Sequence, residues 1–281
     1  MRLYLLTLLF IPVLSYGFEP LNTDDAGTVK KSSNQIEQYF FKTATHGHNT
    51  VSSKSSQIIT PGEEYFGVSQ AQAFPFTYTR GLTENIEASI GASYFATPRG
   101  SYSPISNKVI AIKWRFLEAE DGQWALAIKP SLTLPGTGQQ QVSGIGLALP
   151  NYGVNLIGSH YLGDIEIHVN ASYTKSLYNT NYLIATGPPE NRTNIIFASV
   201  APVWKVSKSI KLALDTGLET NPPISQQYLS NYALLATIIS INDDLDLGLS
   251  YMRSAANMGV VFGGTGISAS RSDIGFTWRF Q

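Results

Sequence analysis

The chain has 281 residues, 43% hydrophobic and only 14% charged, with a formal net charge of −1 and no cysteine. A soluble domain carries about 25% charged residues, and 13 Phe, 15 Tyr and 4 Trp exceed what a disordered chain contains. The charge balance supplies no basic face for nucleic acid, and the missing cysteines exclude disulfides, thiolate metal sites and a cysteine nucleophile.

Residues 1–17 carry a basic Arg2, an apolar run over 3–14, then Ser15 and Gly17, the layout of a cleaved secretory signal peptide. Its apolar run of about 12 residues is too short for a membrane helix, which needs roughly 20. Residues 18–33 show no strand periodicity and form a separate N-terminal segment on the periplasmic side. From residue 34 to 281 the apolar residues alternate. Ile165, Ile167, Val169 and Tyr173 interleave with Glu166, His168, Asn170 and Ser172. Ile210, Leu212 and Leu214 interleave with Lys211, Ala213 and Asp215, and Ile274, Phe276, Trp278 and Phe280 with Asp273, Gly275, Thr277 and Arg279.

This alternation predicts twelve strands, near 34–45, 69–81, 84–96, 107–118, 122–134, 149–161, 164–176, 193–205, 209–220, 230–241, 244–256 and 270–280. Short connections (82–83, 119–121, 162–163, 206–208 and 242–243) alternate strictly with long ones. Five tight turns at one end and six long loops at the other, with both chain ends on the tight-turn side, describe an all-β, up-and-down antiparallel transmembrane barrel. A soluble sandwich fits less well, because its strands average 5 to 6 residues. Strands of about 11 match a tilted crossing of a bilayer. Trp114, Trp124, Trp204 and Trp278 all fall at the tight-turn end, as an aromatic girdle at the periplasmic rim would place them. The expected location is therefore the outer membrane of a Gram-negative cell, with outer-membrane lipids as partners.

The final strand carries a polar residue, Gly275, an apolar residue and an aromatic at the spacing read by the bacterial barrel assembly machinery. Gly275, Trp278 and Phe280 form that signal, although Gln281 follows the usual terminal aromatic. The stretch Pro20-Leu21-Asn22-Thr23-Asp24-Asp25-Ala26-Gly27-Thr28, followed by Gln35-Ile36-Glu37, resembles the opening of the outer-membrane family described as MetA-pathway of phenol degradation transporters. Lys129-Pro130-Ser131-Leu132-Thr133-Leu134-Pro135-Gly136-Thr137-Gly138 resembles that family's strand leading into a glycine-rich loop, while Lys30-Lys31-Ser32-Ser33 stands where a glycine-containing turn is usual. The resemblance implies an outer-membrane channel for small molecules and carries over no catalytic residue.

If the apolar face meets lipid, the other face lines the lumen. That assigns Glu87, Ser89, Lys113, Arg115, Lys129, Asp164, Glu166, His168, Asn170, Lys211, Asp215, Glu219, Asp246, Asp273 and Arg279 to the interior. Twelve strands lie between the solid eight-stranded barrel and the open sixteen-stranded one, so a narrow pore and a plugged barrel both stay open. Residues 18–33 are the plug candidate, with Asp24 and Asp25 facing Lys113, Arg115 or Arg279; a mobile tail is the alternative. The glycine-rich, uncharged loops 136–147 and 258–268 either fold inward or pack on each other, and are where an apolar or aromatic cargo would make first contact.

Enzymatic readings find little support. His46, His48, His160 and His168 provide no Ser–His pair placed for a lipid hydrolase. His46 and His48 have no acidic third ligand nearby, the acidic run 242–246 fits a tight turn, and the sequence calls for neither metal nor cofactor. Asn191-Arg192-Thr193 is a formal sequon without force in a bacterium.

Overall fold

The computed structural model describes residues 20–46, 70–178, 192–221, 228–255 and 268–281. The expected signal peptide over residues 1–17, residues 18–19, the His46 and His48 side chains, the sequon asparagine and most of the loop 258–268 lie outside the described residues. Twelve strands are present: β1 (Asn34–His46), β2 (Gln70–Gly81), β3 (Ile86–Thr97), β4 (Ile105–Glu118), β5 (Trp124–Thr133), β6 (Asn151–Leu162), β7 (Ile165–Lys175), β8 (Asn194–Lys205), β9 (Ile210–Thr220), β10 (Leu229–Ser240), β11 (Leu245–Ala255) and β12 (Ser268–Phe280). Each pairs antiparallel with its sequence neighbours, and β1 pairs with β12 from Asn34 opposite Phe280 to His46 opposite Ser268. Closure leaves no free edge, which a sheet in hydrocarbon cannot carry. No helix among the described residues is long and apolar enough to cross a membrane.

Strands of 10–14 residues, at about 3.3 Å per residue and tilted by about 40°, span roughly 25–35 Å. The outer face is apolar: Ile90, Ile112, Leu156, Ile196, Leu235 and Ile274 are each 48% or more exposed. Burial of such side chains is worth about 1.5–3 kcal/mol each, so a surface of this kind is stable against acyl chains rather than water. Polar groups on that face are satisfied locally. Pro75 has no N–H for the ladder, and Gln38 Nε2 donates to the Pro75 carbonyl at 2.9 Å.

Trp114, Trp124, Trp204 and Trp278 project outward, 41–55% exposed, near the tight turns at 82–85, 119–123, 206–209 and the end of β12. Trp278 stacks on Phe280 at 4.5 Å. On the inner face, a Cβ added to Gly275 would lie 2.4 Å from the Tyr39 ring, and one on Gly248 would lie 2.4 Å from the Tyr39 hydroxyl. Gly275 pairs with both Tyr39 and Gly248, so the ring lies flat over two adjacent strands. Gly275 thus makes room for an aromatic.

The inner wall has two sectors. Along β8–β11 it is apolar: Ala201, Val203, Ala213, Leu234, Ala236, Ile238 and Met252 form one buried cluster with Leu21 of the N-terminal segment. Along β2–β7 it is more polar, with an apolar patch of Ala125, Ala127 and Ile157 against Ala26 of the segment. At the long-loop end, residues 136–147 fold inward. They contain a short helix, α1 (Gly138–Val142), begun by a Thr137–Gln140 capping box. Gln140 Nε2 donates to the Ser103 and Ile105 carbonyls, and Ile145 is fully buried against Phe41, Ala71, Ala73 and Phe95.

Candidate functional site

The interior is organised around residues 20–29, which run inside the barrel, while Lys30, Lys31 and Ser32 are exposed where the segment joins β1. Their entry is fixed beside the end of β2, where Lys31 bridges Gly81 and Ser32 N–H donates to the Gly81 carbonyl at 2.9 Å. A Cβ on Gly81 would lie 2.0 Å from the Lys30 carbonyl, so this close approach requires glycine.

The segment has no regular structure, so its backbone N–H groups need side-chain acceptors from the wall. Asp215 on β9, fully buried, accepts from the N–H of Asn22 at 2.7 Å and of Thr23 at 2.9 Å, and from the hydroxyls of Thr23 at 2.7 Å and Tyr232 at 2.6 Å. Thr23 Oγ1 also meets Ser199 Oγ at 2.7 Å. Asn170 on β7 clasps the next residue from both sides, accepting from Asp24 N–H at 3.0 Å and donating to the Asp24 carbonyl at 2.7 Å. Ala26 N–H donates to Ser159 Oγ at 2.8 Å, and Val29 N–H to Glu87 Oε2 at 2.6 Å.

Charge adds a second layer. Asp24 lies between two ammoniums, 3.3 Å from Lys113 Nζ and 2.7 Å from Lys129 Nζ; Lys113 also pairs with Glu87 at 3.3 Å. Burial alone would raise the Asp24 pKa, but the two lysines hold it well below the usual carboxylate range. Burial pushes the Asp25 carboxyl up; Lys113 opposes this and the neighbouring Asp24 adds to it.

Of the predicted lumen residues, Glu87, Lys113, Lys129, Asn170 and Asp215 converge on the segment through these contacts. Glu166, His168 and Lys211 form a chain beside it: His168 Nδ1 is 2.8 Å from Ser159 Oγ, its Nε2 3.5 Å from Glu166, and Glu166 is 2.8 Å from Lys211. Asp273 is held by Arg271 at 2.9 Å and Ser250 at 2.7 Å. Three residues are placed otherwise. Arg115 binds the Glu84 carbonyl, Asn85 and Glu118 at the rim, and Arg279 pairs with Asp246 at 2.7 Å; of the three expected partners Asp24 meets Lys113, and its second partner is Lys129 rather than either arginine. Asp164 is exposed in the turn at Gly163, because β7 begins one residue later. Asn22, Thr23, Glu37, Ser159, Ser199, Tyr232 and Arg271 escaped the sequence reading. Strand parity alone would have placed Glu37 and Arg271 inside.

Ser159, His168 and Glu166 carry the groups of a nucleophile, base and acid, yet Ser159 Oγ is occupied by the Ala26 amide and His168 is fully buried. This geometry anchors the segment. Among the described residues no group of three or more His, Asp and Glu is arranged to hold a metal.

Among the described residues, two cavities lie against the segment within the lumen. The upper, of about 410 Å³, opens among β2–β9 and is lined both by hydroxyls and amides (Ser89, Ser131, Asn155, Thr174) and by apolar groups (Phe76, Val109, Ile195, Phe197), with Asn22 and Asp24 as its floor. The lower, of about 160 Å³, lies between the segment and β1–β5.

No family model matches the chain, and no curated relative matches it. Solved structures do. The NanC porin aligns over 86% of this chain and 98% of its own at 12% identity, with a TM-score of 0.53. An outer membrane channel from Pseudomonas putida F1 aligns over 91% and 98% at 10% identity, TM-score 0.56. The KdgM porin, solved with disordered oligogalacturonate, aligns over 88% and 99% at 8% identity, TM-score 0.50. At these identities the likeness is one of fold, the fold of outer-membrane barrel channels.

Proposed function

We propose that the protein is an integral outer-membrane channel for passive movement of small molecules, narrowed by its own residues 20–29 acting as a plug. The observation that carries this reading is the pair of cavities on the segment's exposed side, the upper one floored by Asn22 and Asp24. A solid structural barrel has no use for a 410 Å³ chamber of mixed polar and apolar lining. The likeness in fold to porins and an outer membrane channel supports the reading. In this account residues 1–17 direct export, the Gly275, Trp278 and Phe280 strand is read by the barrel assembly machinery, and the apolar outer face meets outer-membrane lipids. Membership of the MetA-pathway family belongs to the proposal too. It points to apolar or aromatic cargo, whereas the charged and polar lining of the lower cavity supports hydrophilic solutes.

A second reading, a closed barrel with a structural or surface-binding role, is favoured by the three hydrogen bonds that Asp215 spends on holding the segment. Conductance in planar bilayers separates the two. The channel reading expects small, steady conductance from the intact mature protein and a several-fold rise on deleting residues 18–33. Silence from both would establish the closed barrel.

A further inference from the structure

The two lumen cavities are not independent. Both are lined by Asn22, Asp24, Thr77, Ser89 and Lys129, so they meet at the Asp24–Lys129 ion pair. The upper one reaches Ser93, Thr174 and Glu219 toward the long-loop end; the lower one reaches Gln35, Thr79 and Glu87 toward the tight-turn end. The opposite side of the segment is packed against the wall, with Leu21 in the apolar cluster of β8–β11 and Thr23 bound to Asp215 and Ser199. Resting on the channel reading, we infer that solutes pass beside the N-terminal segment while it stays docked, along the β1–β5 wall, and that this passage selects small hydrophilic cations.

The selectivity follows from the groups at the narrow point. The lower cavity is lined by three carboxylates, Asp24, Glu37 and Glu87, and two ammoniums, Lys113 and Lys129. Lys113 is 2% exposed and committed to Asp24 and Glu87, so it cannot turn toward a passing anion. Lys129 is 33% exposed and pairs with Asp24 at 2.7 Å. Glu37 takes no part in the pairs that hold either lysine. A cation entering from the upper chamber finds Asp24 already shaped to hold an ammonium at 2.7 Å, can replace Lys129 there, and then meets Glu37. An anion that displaced Asp24 from Lys129 would leave Asp24 buried beside it and face Glu37 and Glu87 next. The lower space, about 160 Å³, has room for about five waters at roughly 30 Å³ each. It therefore suits hydrated inorganic cations and slim solutes bearing a primary ammonium.

The absence of native cysteine makes a lock available. With Thr23 Oγ1 and Ser199 Oγ 2.7 Å apart, the double variant Thr23→Cys, Ser199→Cys is placed to form a disulfide that prevents the segment from leaving. In planar bilayers under a potassium chloride gradient at pH 8, the oxidised variant should retain at least half the conductance of its reduced form, with a cation-favouring reversal potential. Glu37→Gln should lower the cation-to-anion permeability ratio at least threefold, and Lys129→Gln should raise it. Conductance that vanishes on oxidation and returns on reduction would overturn the side passage and leave the channel reading standing. Anion preference, or a ratio indifferent to Glu37→Gln, would overturn the selectivity. Silence of every form, including the chain without residues 18–33, would overturn the channel reading itself.

Discussion

Asp24 and Asp25 adjoin in sequence and sit in the same buried segment, yet they titrate in opposite directions because their neighbours differ. For Asp24 the cost of burial is outweighed by Lys113 and Lys129, and its pKa falls. For Asp25 the cost of burial wins, with Lys113 offsetting only part, and its pKa rises. A depressed pKa contributes stability above the ordinary carboxylate range, lost only as pH falls through the depressed value; a raised one means that the ionised form costs stability near neutrality, a cost relieved as pH falls through the raised value. Asp24→Asn should therefore loosen the docked segment at pH 7, by about 3 kcal/mol, since it leaves a buried Lys113 short of a partner. Asp25→Asn should tighten it at pH 7, and that gain should shrink on acidification. Protease cleavage within residues 20–33 reports both; equal loosening by the two variants would contradict the assignment. Much of this chemistry was legible in advance, because Glu87, Lys113 and Asp215 stand opposite apolar neighbours in alternating strands. Tyr232 was not, since β10 is apolar on both faces: Leu234 and Ile238 point inward onto the plugged sector while Leu235 points outward.

At the scale of elements, strand positions were readable because lipid on one side and polar lumen on the other impose a period of two over ten or more residues. The capping-box helix α1 was hidden, as five residues carry too little periodicity to stand out from a glycine-rich loop. Gly275 was legible only as part of an assembly signal. Its inner-face role emerges from register, which brings Tyr39, Gly275 and Gly248 into one row. A methyl at position 275 would lie 2.3 Å from the Gln38 carbonyl as well as 2.4 Å from the Tyr39 ring. Relief requires moving strand backbone at the β1–β12 closure. Gly275→Ala should thus destabilise the folded barrel by about 1–3 kcal/mol, seen as a lower temperature for the folded-to-unfolded mobility shift in detergent gels. Pairing it with Tyr39→Ala should recover part of the loss, because the ring is one of the two obstacles; no recovery would place the strain in the backbone contact alone.

For the whole molecule, the sequence fixes closure but not content. Where residues 20–33 go could not be read from periodicity, because they are held by N–H groups bound to side chains more than 130 residues away, such as Ser159, Asn170 and Asp215. The placement of the barrel in a bilayer rests instead on the outer face, and it can be tested there. All four tryptophans are at one end and on the outside, so intrinsic fluorescence reports that rim alone. Indoles at the boundary of acyl chains and head groups should emit at short wavelength, be quenched strongly by lipids brominated near the carbonyl end of the chain, and be quenched weakly by bromines near the bilayer centre. A soluble quencher added outside proteoliposomes should reach them only partly, because lipid covers one face of each ring. Long-wavelength emission insensitive to brominated lipid would mean that this rim stands in water, and the bilayer would then have to be placed elsewhere along the strands. Replacing Trp204, the most exposed of the four at 55%, with Phe should remove about a quarter of the lipid-quenched signal without moving the remainder, since the other three rings lie on β4, β5 and β12 at the same end.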